Sequence, residues 1–286
     1  MIFLLLSIVF STLTVSFFKL FERKGVHTFH AIVVNYLTCG IIGSFFVKNP
    51  FYTSAFWKSP WLIYTLFLGF LFISIFYLIA LTAQKISVSA SMVAAKLSVV
   101  IPVLIAYFFL GESLGFLKIA GILVSFMAVY FISYKDASAS IPTQFIWYLP
   151  VLVFVGSGCI DAMLKMLETR YIPTYSADDI VTATFFFAFI FGFLVLLFQG
   201  FKDGTKPHLK SLQWGVFLGI PNYFSMYFLV ETLALFPATF IFPVNNMAIV
   251  ASATLVALVF FHEKLNPKNW LGFILALAAI ILISLA

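Results

Sequence analysis

The chain has 286 residues, of which 63% are hydrophobic and only 9% carry a charge, and its formal net charge is +6. A soluble domain carries about 25% charged residues, and so few polar groups could not cover the surface of a soluble core. The composition therefore excludes a soluble globular protein and indicates a chain that folds in a lipid bilayer. No basic tract is dense enough to indicate binding to nucleic acid.

Ten apolar segments follow one another along the chain, and a helix that crosses a bilayer needs about 20 such residues. They are Ile2–Phe21, Phe29–Val47, Trp61–Leu81, Ser89–Leu110, Phe116–Tyr134, Phe145–Leu167, Ile180–Gly200, Gln213–Leu233, Ala238–Phe261 and Asn269–Leu285. Helices are the expected elements because lipid offers no partner to an unpaired backbone group. The first segment lacks a preceding positive charge and a cleavage pattern, so we expect it to be retained as a helix.

The two halves of the chain repeat each other. The match joins Phe109-x-x-Glu112-x-Leu114 and Gly121 to Phe260-x-x-Glu263-x-Leu265 and Gly272, and it joins Gly69 and Tyr77 to Gly219 and Tyr227. Each copy holds five spans, an odd number, so the second copy enters the membrane from the opposite side and the repeats are inverted. We expect a single transmembrane domain, 1–286, with repeat one at 1–140 and repeat two at 141–286.

A Gly-Glu-x-Leu-type motif stands between the fourth and fifth helix of each half, as Gly111–Leu114 and, with histidine in place of glycine, as His262–Leu265. With ten spans in two halves, this pattern resembles the drug/metabolite transporter superfamily and, within it, the EamA-type permeases. The resemblance implies a secondary transporter that moves a small metabolite (an amino acid, a sugar or a drug-like compound). Transport would proceed by alternating access through a central cavity between the repeats.

The same resemblance implies an integral, multi-pass protein of the bacterial inner (plasma) membrane that is not an enzyme and has no cofactor. Its expected partners are a small-molecule substrate, membrane lipid and a coupling proton or sodium ion, with no nucleic acid. The resemblance places both termini in the cytoplasm, whereas the distribution of lysine and arginine over the loops mildly favours the opposite orientation.

Polar side chains inside the predicted spans are costly in lipid and therefore mark candidate site residues. Lys96 lies in the middle of the fourth span with no acid three or four positions away, so we expect it to face the cavity and attract a carboxylate. The structural alternative is a lysine that snorkels or pairs with an acid on another helix. Asn245 and Asn246 lie at the matching depth of the ninth span. The weaker substrate-binding candidates, which could also simply pack, are Asn35, Asn222, Tyr77 and Tyr227.

Carboxylates in or near the spans are candidates for proton coupling or for helix capping. Asp161 and Glu231 are the proton-coupling candidates. Asp161 could instead be a partner for Lys96, or pair with Lys165 four residues on, and Glu231 could be wetted at the membrane edge. Glu112 and Glu263 stand where a helix restarts, so we expect them to cap free amides there.

An intramembrane enzyme and a non-transporting membrane partner protein are the alternative functions. An enzyme would need a metal site or a nucleophile with its base at membrane depth. His27, His30, His208 and His262 all lie in loops or at span ends, and Cys39 and Cys159 are not clustered with them, so no metal site is predicted. No Walker-type phosphate loop is present in the sequence.

Overall fold

A computed structural model describes residues 1–48, 51, 53–110, 115–132, 146–171, 174–203, 208–236 and 238–285. Within these residues it contains twelve α-helices and no β-strand. The helices are α1 (Ile2–Lys24), α2 (Thr28–Gly43), α3 (Ser54–Trp57), α4 (Leu62–Lys85), α5 (Val88–Leu97), α6 (Val100–Leu110), α7 (Phe116–Ile132), α8 (Tyr148–Tyr171), α9 (Ala177–Asp203), α10 (Leu209–Leu235), α11 (Ala238–Val259) and α12 (Pro267–Ser284).

These helices match the ten predicted spans, because α3 is a single turn and α5 and α6 together form the fourth span. Four described stretches are long and apolar enough to cross a membrane, namely Ile2–Lys24, Leu62–Lys85, Val88–Ile105 and Ala177–Lys202. Five further apolar helices are shorter within the described residues. The prediction of an all-helical membrane fold built from two repeats is confirmed.

The fourth span is broken between α5 and α6, and Pro102 explains the break. Proline lacks a backbone N–H and its ring clashes with the carbonyl four residues earlier, which here belongs to Ser98. The chain responds with a tighter turn, in which the Ile101 N–H donates to the Ser98 carbonyl at 2.8 Å. The next helical bond, from the Val103 N–H to the Val99 carbonyl, is stretched to 3.5 Å.

The chain divides into two compact units, and each draws on both halves of the sequence. Unit 1 comprises Met1–Leu20, Leu78–Asp161 and Phe224–Ala286, and unit 2 comprises Phe21–Tyr77 and Ala162–Tyr223. Equivalent helices of the two repeats therefore share a unit: α7 with α12 and α5 with α11 in unit 1, and α2 with α9 in unit 2.

Unit 1 has a buried core formed by α5, α7, α8, α11 and α12, with Val93, Leu97, Val153, Val250 and Ala276 among its members. Unit 1 also contains α1, which is tied to the end of α4 by hydrogen bonds. There the Lys19 ammonium donates to the Gln84 carbonyl at 3.1 Å, and the Gln84 amide donates to the Phe18 carbonyl at 2.8 Å.

Unit 2 is built from α2, α3, α9, most of α4 and α10, and the ends of α1 and α8. Tyr36 is almost fully buried on α2, and its hydroxyl donates to the Phe72 carbonyl of α4 at 2.9 Å. Beyond the end of α2, the Lys48 N–H donates to the buried Asp179 carboxylate in the first turn of α9, at 2.8 Å. These bonds satisfy the Tyr36 hydroxyl and the Asp179 carboxylate, which are both buried.

Candidate functional site

Lys96 lies at the point where the fourth span is broken. It stands in the last turn of α5 and is half-buried. The carbonyl groups at a helix C-terminus lack helical partners and carry partial negative charge, which favours a cation at this position. Within the described residues, Lys96 makes no hydrogen bond or close ion pair, although the Asp161 carboxyl acts on it electrostatically.

Asp161 reaches the same break from α8. Gly158, one turn earlier, permits the approach, because a Cβ at this glycine would lie 2.5 Å from the Ile101 Cβ on α6. The Asp161 Oδ2 atom then lies 2.7 Å from the hydroxyl of the fully buried Ser98. The Ser98 hydroxyl also lies 2.6 Å from the Ala95 carbonyl. The break thus brings together an ammonium, a carboxyl and a hydroxyl.

Asn245 and Asn246 lie on α11, which packs against α5 in unit 1. Asn245 is buried, and its amide oxygen has no hydrogen-bond partner among the described residues. Asn246 is half-buried. A buried acceptor without a protein partner is unusual and calls for a water or a ligand. α11 runs without interruption through position 243, so the broken helix of repeat one has a continuous counterpart in repeat two.

A second polar cluster lies in unit 2 and joins Asn35 and Cys39 of α2 to Asn222 of α10. The Asn222 amide donates to the Asn35 carbonyl oxygen at 3.1 Å and lies 3.6 Å from the Cys39 sulfur. The Cys39 thiol in turn lies 3.4 Å from the Gly219 carbonyl. The amide nitrogen of the fully buried Asn35 has no described partner. The Cys39 thiol thus belongs to this polar cluster.

The two tyrosines that match between the repeats fall in different units. Tyr77 belongs to unit 2 and packs edge-on against Phe29, with ring centroids 5.4 Å apart. Tyr227 belongs to unit 1, between Phe224 and Phe228, at 6.3 and 5.5 Å. Glu231, one turn further along α10, is half-buried and makes no hydrogen bond or ion pair with a described residue.

Glu263 lies beside the start of α5. Both of its carboxylate oxygens lie 3.3 Å from the Val88 nitrogen, the first amide of that helix. The cap of the following helix, α12, is Asn266, which forms a reciprocal capping box with Asn269. The other expected cap, Glu112, and the side chain of Lys165 lie outside the described residues.

Ser98 is the site residue that the sequence analysis missed. Pro102, four residues later, predicts a helix break near Ser98, but it gives no signal for a role of the Ser98 hydroxyl. The contact with Asp161 was not visible, since it depends on how α8 packs against α6. No group of three or more histidine, cysteine or acidic residues that could hold a metal occurs in the part of the chain that the structure describes.

Comparisons with known proteins agree with this architecture. The model of the EamA-like transporter family matches the chain twice, at residues 1–134 and 148–285. An uncharacterized protein of Haemophilus influenzae is 25% identical over 272 residues, which are 92% of this chain and 90% of the relative. One solved crystal structure aligns with a TM-score of 0.61 and 15% identity over 99% of this chain and 96% of the other, a likeness that shows the fold alone.

The fold and the double match define an integral, multi-pass membrane protein with two related halves. The chain belongs to the EamA-like transporter family. It is accordingly a membrane transporter of the drug/metabolite type, and transport rather than catalysis is the activity of its family.

Proposed function

We propose that the protein is a secondary transporter that moves a small metabolite with a carboxylate group, an acidic or zwitterionic compound, by alternating access. Lys96 binds the carboxylate, and the amides of Asn245 and Asn246 bind further polar groups of the substrate. Asn35, Asn222, Tyr77 and Tyr227 stay as the weaker candidates for substrate binding. The transporter works in the bacterial inner membrane, with repeat one at 1–140 and repeat two at 141–286.

The observation that carries this proposal is Lys96 at a helix break, half-buried and without a hydrogen bond or close ion pair to any described residue. An ionisable group at membrane depth is costly and marks function by default, and transporters of inverted-repeat build bind substrates and ions at discontinuous helices. Here the break, the lysine and the buried Asn245 amide oxygen, which has no hydrogen-bond partner among the described residues, all lie in unit 1. The site has the cation and the hydrogen-bonding groups that a carboxylate-bearing metabolite needs.

The test is uptake of radiolabelled compounds by purified protein in liposomes, with a panel of acidic, zwitterionic, basic and neutral metabolites. We expect flux for members of the acidic or zwitterionic classes. Lys96→Ala removes a charge-assisted hydrogen bond of about 1.5–3 kcal/mol, which weakens substrate binding about 10- to 100-fold. Lys96→Arg restores part of the affinity because it keeps the charge.

Lys118→Ala is the matched control, since Lys118 stands in the first turn of α7, in the same unit but on another helix. We expect it to transport as the wild type does. Flux restricted to basic or neutral compounds, or unchanged affinity in Lys96→Ala, would contradict the assignment of Lys96. Turnover of a lipid without flux of any metabolite would instead support the intramembrane enzyme.

A further inference from the structure

The Ser98 hydroxyl faces two oxygen atoms at hydrogen-bonding distance. The Ala95 carbonyl lies 2.6 Å away and the Asp161 Oδ2 lies 2.7 Å away. A carbonyl is an acceptor only, and so is an ionised carboxylate, whereas a serine hydroxyl has a single hydrogen to donate. With Asp161 ionised, one of these two short contacts would hold no hydrogen between its oxygens. Oxygen atoms at such a distance attract each other only through a shared hydrogen.

A proton on Asp161 satisfies both contacts. The carboxyl then donates from Oδ2 to the Ser98 oxygen, and Ser98 donates its own hydrogen to the Ala95 carbonyl. We propose that Asp161 is a proton-binding site that is occupied in this conformation, and that it couples substrate movement to a proton gradient. This inference rests on the proposed transport function and adds the coupling ion to it.

Lys96 connects the proton site to the substrate site. It is the charged group that acts on Asp161 among the described side chains, from the last turn of α5. Lys165, one turn beyond Asp161 on α8, has a side chain outside the described set. A substrate carboxylate bound to Lys96 neutralises the positive charge that favours the ionised form of Asp161. Binding of the anion therefore promotes binding of the proton, and the reverse holds by linkage.

The linkage determines whether the proton and the anion move in the same direction or in opposite directions. Because the proton and the anion favour each other's binding, both are carried in the same half of the cycle, and the protein is a proton–anion symporter. On the side where the carboxyl group loses its proton, Ser98 can keep only one of its two contacts. The two states of the Asp161–Ser98–Ala95 chain thus differ in the hydrogen bonds at the helix break.

The first experiment detects the proton without any substrate. In infrared difference spectra of the purified protein in lipid, recorded as pH is changed, we expect the C=O stretch of a protonated carboxyl group. Asp161→Asn abolishes this band, and Ser98→Ala shifts its frequency because it removes the hydrogen-bond acceptor. Ser125→Ala is the matched control, since Ser125 is fully buried in the same unit and donates to the carbonyl three residues earlier at 2.7 Å, with no carboxyl partner among the described residues. A spectrum with no Asp161-dependent band would overturn the proposal.

The second experiment measures coupling in liposomes that hold a substrate found in the uptake screen. An inward proton gradient should drive accumulation in the wild type, whereas Asp161→Asn should exchange substrate but accumulate it at least about tenfold less. Glu231→Gln separates the two candidate carboxyls. Loss of proton-driven accumulation in Glu231→Gln, with Asp161→Asn unchanged, would assign coupling to Glu231 and refute the inference.

The outcomes also separate this inference from the proposed function. An Asp161-dependent band without flux of any metabolite supports the proton site and refutes transport. A substrate flux that changes neither with the proton gradient nor with the Asp161→Asn substitution supports transport and refutes proton coupling. If Asp161→Asn fails to fold, Ser98→Ala decides, because the proposal requires it to shift the band and weaken coupling while Ser125→Ala does neither.

Discussion

Gly272 packs against Ile132 as Gly121 packs against Ile283, and the two contacts are equivalent under the sequence repeat. A Cβ at Gly121 would lie 2.6 Å from the Ile283 Cγ1, and a Cβ at Gly272 would lie 2.9 Å from the Ile132 Cα. Equivalent positions are separated by the same interval, from 121 to 272 and from 132 to 283. Such exchange of partners is the signature of a two-fold relation. Because α7 and α12 run antiparallel here, the repeats are inverted.

The same exchange occurs in unit 2. Gly43 of α2 meets Thr182 of α9, and Gly192 of α9 meets Val33 of α2, where a Cβ would lie 2.7 Å from the valine Cγ2. The repeated glycines noticed in the sequence therefore mark the seams between equivalent or neighbouring helices of the two repeats. Small residues let helix backbones approach closely in membranes, where apolar burial gives little driving force for association.

Gly272→Ala tests whether this seam is essential. The added methyl group would meet the backbone of Ile132, which cannot move aside as a flexible side chain does. We expect a loss of about 1–3 kcal/mol of unfolding free energy, the usual cost of overpacking, measured by thermal unfolding in detergent. Gly40→Ala is the control, since nothing lies within 4 Å of its Cβ position, and it should gain about 0.5–1 kcal/mol. Equal melting temperatures for Gly272→Ala and the wild type would contradict the claim that the close packing of Gly272 against Ile132 is essential for stability.

Lys96→Met tests whether the lysine is kept for function at a cost in stability. A lysine at the centre of a membrane helix costs about 2.5–3.5 kcal/mol on insertion scales, and the helix C-terminus offsets part of that cost. We expect Lys96→Met to unfold at a higher temperature, with a gain of about 1 kcal/mol, while it loses substrate binding. Lys118→Met should change stability by less than about 0.5 kcal/mol. A destabilised Lys96→Met would mean that the lysine holds the fold together.

The sequence predicts the scaffold of this protein better than its site. Ten spans, two halves and the matching glycines follow from local hydropathy and from repetition, which need no knowledge of packing. Lys96, Asn245 and Asp161 were identified because polar groups are rare in lipid. The contact from Asp161 to Ser98 escaped prediction because it joins α8 to the end of α5, and no local pattern encodes such a pairing. The division into two compact units was not predicted either, because each unit combines helices from both repeats.

His262→Gly tests a strained position at the motif between α11 and α12. His262 is exposed and has φ of 54°, in the left-handed region that costs a residue with a Cβ about 1–2 kcal/mol. The first copy of the motif has Gly111 at the matching place. We expect His262→Gly to raise the unfolding free energy by about 0.5–1 kcal/mol, after the greater entropy of glycine in the unfolded chain is subtracted.

Gly25 provides the reciprocal control for that prediction. It has φ of 63° with open space around its Cβ position, so Gly25→Ala introduces the same strain without a clash. We expect it to lose about 1 kcal/mol. Thermal unfolding of both variants under one condition gives the comparison, and changes of the same sign would contradict the backbone explanation.

Glu263→Gln tests the link between this motif and the helix that carries Lys96. The Glu263 carboxylate accepts from the first amide of α5 and lies at the positive end of that helix dipole. The amide side chain keeps an acceptor but loses the charge, so we expect a loss of about 0.5–1 kcal/mol in unfolding free energy. The loss should shrink in high salt, because screening weakens the interaction of a partly exposed charge. Lys264→Gln, an exposed neighbour in the same connection, should be neutral. If Lys264→Gln and Glu263→Gln unfold alike, the carboxylate does not stabilise the start of α5.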